Sequence, residues 1–107
     1  MPKYIRNILR ELKKGLVEIY GDRLKVVYLF GSYARGEGRV PDSDIDVMII
    51  LQGEFDYWQM DRLSSGFVAD ISLKYDVVIS TKFASETQYA LSKMPLYINV
   101  RREGIAV

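Results

Sequence analysis

Two apolar runs of strand length, LKVVYLF at 24–30 and IDVMIIL at 45–51, constrain the fold more than any other feature of the sequence. Both are short and rich in β-branched or aromatic residues, so each reads as a buried strand. Gly31-Ser32 stops the first run, and Ser32 is placed to cap a short helix through Arg35. The segment GEGRVPDS at 36–43, with two glycines and a proline, then reads as an exposed loop. Ahead of the strands, Ile5, Ile8, Leu9, Leu12, Leu16 and Ile19 recur at spacings of three and four. That is an amphipathic helix, which Gly21 can close. From Asp56 a second long helix is expected, with Trp58, Leu63, Phe67 and Ile71 on its apolar stripe. YDVVIS at 75–80 reads as a third strand, a helix follows through Tyr89 and Leu91, and Pro95 and Gly104 bracket a last one. With 107 residues and neither repeat nor linker, the expectation is one α/β (α+β) domain over 1–107, a small mixed sheet with helices packed on it.

Composition narrows the chemistry. There is no cysteine and no histidine, which removes thiolate-zinc sites, thiol nucleophiles and Ser-His schemes together. What remains is carboxylates, hydroxyls, Lys, Arg, or a hard metal bound by oxygen. A net charge of +1 argues against broad nucleic-acid binding, which needs a basic excess. The charged, amphipathic first residues are unlike a secretory signal, and no apolar run reaches the length of a membrane span. The expected location is the cytoplasm.

Against that background the acids stand out. Asp44 and Asp46 are two apart at the start of the second strand run, so their carboxylates project from one face, roughly 6.5–7 Å apart at the backbone. At an effective dielectric near 20, two such charges repel by about 2 kcal/mol, a cost that a divalent cation reverses. Mg²⁺ is commonly held by one or two carboxylates, with water and substrate phosphates completing its shell. Asp76, one residue into the expected third strand, joins them if that strand lies beside the second. Gly31 lets the backbone approach a ligand, and the amides after it, with the Ser32 hydroxyl, can receive phosphate. Arg35 and Arg39 can neutralise further charge. Taken singly, these pieces are a turn, a helix cap, a strand-initiating acid and solvated arginines. Asp46 resists that account, because it interrupts an apolar run between Ile45 and Val47, where an unpaired carboxylate is costly.

The stretch LFGSYARGEGRVPDSDIDVMI closely resembles the signature of the DNA polymerase β nucleotidyltransferase superfamily, in its minimal (MNT) branch. YDVVIS is similar to the segment carrying that family's third acid, and PLYINVRREGIAV to the end of its small domains. The resemblance implies a nucleotidyltransferase fold, with Gly31 and Ser32 on the triphosphate and Asp44 and Asp46 holding Mg²⁺, two ions in all. It implies that Asp76 helps bind one ion and activate the attacking hydroxyl. The implied activity is transfer of a nucleoside monophosphate, AMP from ATP, onto a hydroxyl. In the minimal branch the acceptor can belong to a HEPN-domain partner, with the MNT chain as antitoxin of the pair. A second copy of the chain is the other way to complete the acceptor side. The alternative is a weak or inactive nucleotide-binding antitoxin subunit that acts by gripping its partner. Eleven residues separate Ser32 from Asp44, one more than the commonest family pattern, a departure that bears on Arg39 and on the level of activity.

Overall fold

The computed structural model describes residues 1–39 and 43–107. The proline of the expected loop, Pro41, lies outside the described residues, with Val40 and Asp42. Helix α1 (Lys3–Tyr20) buries Ile5, Ile8, Leu9, Leu12 and Leu16 on one side, as its spacing predicts, with Tyr20 closing that face in place of the half-buried Ile19. Gly21 ends it at φ 56, a left-handed conformation that glycine adopts without a Cβ penalty. A 3₁₀ turn, Gly21–Arg23, leads into β1 (Leu24–Phe30), and β2 (Ile45–Leu51) follows. Both strands coincide with the two apolar runs.

Helix α2 (Tyr57–Tyr75) begins where Asp56 accepts a hydrogen bond from the Gln59 amide at 3.1 Å. Its buried face differs from the expected stripe. Trp58 is 72% exposed and Leu63 55%, whereas Met60, Ser64, Val68 and Ile71 are buried. Ser64 can lie inside because its hydroxyl donates to Tyr20 Oη at 2.8 Å, the tyrosine proton going to Met60 O. The ring of Phe67 presses on Gly15 of α1, where an added Cβ would overlap it at 1.9 Å. The glycine therefore makes room on α1 for the Phe67 ring of α2.

After α2 come β3 (Ile79–Ser85), α3 (Glu86–Leu91), α4 (Pro95–Glu103) and a two-residue strand, β4 (Ile105–Ala106). The sheet order is β3-β2-β1-β4, with β2 and β3 parallel and the other pairs antiparallel. Strand alternation divides the sheet into two faces. Val27, Leu29, Ile45, Val47, Ile49 and Leu51 pack in the large core with α1 and α2. Met48 and Ile50 pack in a small one with Ala84 and Val100, the latter from α4. Asp44 and Asp46 have the parity of Met48, so they belong to the α4 side.

Candidate active site

β1 and β2 are joined by the segment that carries the site, and their antiparallel register sets Phe30 opposite Asp46. The next residue, Gly31, therefore comes to rest against the Asp46 carboxylate. A Cβ on Gly31 would lie 2.4 Å from Asp46 Oδ2, and Gly31 itself has φ +75. Only glycine satisfies both conditions, the left-handed backbone and the close approach. The sequence signal for that contact was Gly-Ser at the end of a strand, with an acid inside the next one.

The short helix expected from Ser32 through Arg35 is a hydrogen-bonded turn instead. Arg35 N donates to Gly31 O, Gly36 N to Tyr33 O and Glu37 N to Ser32 O, a mixed set of spacings that cannot propagate as a helix. The turn is anchored by Tyr33, which is buried in the large core and has Gly38 packed on its ring. Ser32 is half-buried beside Gly31.

Asp46 is half-buried and Asp44 exposed. The Asp46 carboxyl is pushed above the ordinary carboxylate range, first by burial and then by the charge on Asp44. Lys82 and Arg35 oppose that shift with their positive charges. Arg35 is itself engaged: its Nε meets Glu37 Oε2 at 3.1 Å and its Nη1 meets Glu103 Oε1 at 3.0 Å. Lys82 was not among the expected site residues. It lies on β3 level with Met48, two residues beyond Ser80, which is level with Asp46. An expected strand ending at Ser80 left it out of reach. Its signal was the alternation that continues through Thr81-Lys82-Phe83.

Asp76 is not where the sequence placed it. Helix α2 runs through Tyr75, and Asp76 is its left-handed cap, with φ 53 and ψ 50 and an exposed side chain. Val77 N donates to Ser72 O at 3.0 Å and Asp76 N to Leu73 O at 3.4 Å, a Schellman-type close that aspartate tolerates. β3 starts only at Ile79, and Ile45 N donates to Val78 O at 2.8 Å as the parallel pair begins. Asp76 thus precedes the paired region. Among the described residues no ready-made group of three metal-ligating side chains is present, and Asp76 stands three residues before β3, the parallel neighbour of the strand that carries Asp46. Arg39 N donates to Ser43 Oγ at 3.1 Å, and among the described residues the Arg39 side chain forms no salt bridge. No helix among the described residues is long and apolar enough to cross a membrane.

Two neighbouring acids and a glycine turn form a cradle of oxygen donors and amides suited to a hard cation and a polyphosphate. The family model described as "Nucleotidyltransferase domain" matches residues 9–102. A candidate protein adenylyltransferase of Methanocaldococcus jannaschii is 37% identical over 97 residues, covering 90% of each chain. A solved structure described as a minimal nucleotidyltransferase superposes with a TM-score of 0.59 at 26% identity, covering 100% of this chain and 97% of that one. A chain in a solved structure of a tri-AMPylated Shewanella oneidensis HEPN toxin in complex with MNT antitoxin shares the fold at a TM-score of 0.57 and 17% identity, covering 96% of this chain and 70% of that one.

Proposed function

The chain belongs to the nucleotidyltransferase domain family, and on that premise we propose that it transfers AMP from ATP to a hydroxyl group on a partner protein. The observation that carries this reading is the contact of Gly31 with the Asp46 carboxylate, which sets a phosphate-accepting turn directly beside an acid pair. Gly31 and Ser32 receive the triphosphate through backbone amides and the serine hydroxyl. Asp44 and Asp46 would hold Mg²⁺, one ion or two, and the oxygen-only donor set fits that choice. Bound there, the metal would neutralise the triphosphate and the charge that develops as pyrophosphate leaves. Lys82 adds a positive charge on the same face, and Arg35 adds another once it gives up Glu37 or Glu103. The acceptor oxygen bonds to the α-phosphorus as the bond to pyrophosphate breaks, its proton passing to Asp76 or to water, and the remaining residues act by positioning and charge, which needs no histidine.

The AMPylated toxin of the related complex makes a HEPN-type helical protein the favoured acceptor. A second reading draws on Arg35 being occupied by Glu37 and Glu103. It holds that the chain is a nucleotide-binding antitoxin subunit that works by gripping its partner. Incubation with Mg²⁺, ATP labelled at the α-phosphate and the co-purifying partner separates the two. Label on the partner, lost in both Asp44→Asn and Asp46→Asn, supports transfer. A stable complex that leaves ATP intact supports the binding reading, and label transfer undiminished in both variants refutes the assignment of the acids.

A further inference from the structure

On the face of the sheet opposite Asp46, a groove of about 310 Å³ opens between α1 and the edge strand β4. Leu9, Ile105 and Ala106 line it with apolar surface, and Arg6, Arg10 and Lys13 supply its polar rim. No Asp or Glu side chain takes part in the lining. Lys13 is engaged, its Nζ donating to Val107 O at 2.9 Å. Arg6 and Arg10 lie one helical turn apart, both exposed, and among the described residues neither forms a salt bridge.

The strand beside them has a definite orientation. Tyr28 pairs with Ala106 and Leu29 with Ile105, and Val107 N donates to Val27 O at 2.9 Å. In antiparallel alternation that bond marks 27 with 107, and 29 with 105, as the hydrogen-bonded pairs. Ala106 therefore turns its own N–H and C=O outward, to the free edge of the sheet. An extended chain can pair there while its side chains meet the groove on the α1 side.

We propose that this groove receives an extended acidic segment of a partner protein, its backbone pairing with Ala106 and its carboxylates meeting Arg6 and Arg10. Charge selects the occupant. A second copy of this chain, paired edge to edge about a two-fold axis, would bring Arg6 and Arg10 of each copy toward those of the other, and like charges across a seam oppose association. An alternating acidic and apolar strand satisfies the arginines and the apolar floor together. The surface is on the far face from the acid pair, so a partner held here leaves Asp44 and Asp46 open.

The test uses the whole protein and a fluorescein-labelled ten-residue peptide of alternating Glu and Val, followed by anisotropy at low salt, with a Lys-Val peptide as control. The expected result is saturable binding of the Glu peptide only, weakened by added salt and at least about tenfold weaker in the Arg6→Gln/Arg10→Gln variant. Ala106→Pro, which removes the outward N–H without touching the bonds to β1, is expected to weaken binding as well. Absence of binding, equal binding of both peptides, or full affinity in the arginine variant would overturn the proposal. So would displacement of the peptide by inorganic tripolyphosphate at equal concentration, which marks a simple anion site. Concentration-dependent dimers in sedimentation that Ala106→Pro abolishes would assign the edge to a second copy instead.

Discussion

At residue 31 the backbone has φ +75 and an acid within 2.4 Å of where a Cβ would stand. Gly31→Ala meets both obstacles, so it is expected to cost about 1–3 kcal/mol of stability and to abolish nucleotide binding. Thermal melting and an equilibrium binding titration on the same sample check this, and a variant that binds normally contradicts the cradle. Asp46 makes the opposite expectation for stability. Its carboxyl is held above the usual range in the folded state, by burial first and by Asp44 second. Folding therefore favours its protonated form, and the cost is absent below the unfolded-state value and grows as pH rises through the folded one. Asp46→Asn is expected to melt higher than the parent protein near pH 8, with the difference vanishing near pH 3, in a metal-free buffer. A variant that melts lower near pH 8 contradicts this. At this scale the approach of Gly31 to Asp46 has a mark in the sequence, an acid inside an apolar run that follows a strand closed by glycine. Lys82 carries no mark of function until strand pairing sets it near Asp46.

The secondary elements were legible where side chains repeat with one clear period. α1, β1 and β2 begin and end within two residues of their apolar patterns. α2 was found but turned the wrong way. Trp58 and Leu63 are its conspicuous apolar residues, yet they face outward, while the small polar Ser64 is buried by a hydrogen bond that only the folded neighbour Tyr20 can offer. A substitution pair measures that rotation. Met60→Ala is expected to destabilise by about 2–4 kcal/mol, as a core truncation does, and Trp58→Ala by no more than about 0.5 kcal/mol in chemical denaturation. Reversal of that order would restore the original face. The third strand shifted for a related reason. Tyr75, Val77 and Val78 favour strands by propensity, but the helix before them runs on to Tyr75 and closes through the amides of Asp76 and Val77. Local hydrogen bonding outweighed propensity, and it took Asp76 out of the strand. β4, two residues long, is too short for any periodicity.

For the molecule as a whole, the sheet separates two kinds of surface. α1 and α2 cover one face over the large core, and the acid pair lies on the other face, at the end of β2 nearest the Gly31 turn. That arrangement gives a partner access to the acids without disturbing the main core. The class of fold and the position of the turn beside the acid followed from the order of the strands and the loop between them, and the nucleotidyltransferase family from the resemblance of residues 29–49 to its signature. The start of β3 did not, because it depends on where α2 stops. Calorimetric titration of the protein with a non-hydrolysable ATP analogue, with Mg²⁺ and then with chelator, tests the central claim most directly. The account predicts saturable binding with Mg²⁺, weakened at least about tenfold by chelator and by Asp46→Asn alike. Equal affinity with and without the metal, or an undiminished Asp46→Asn variant, would contradict it.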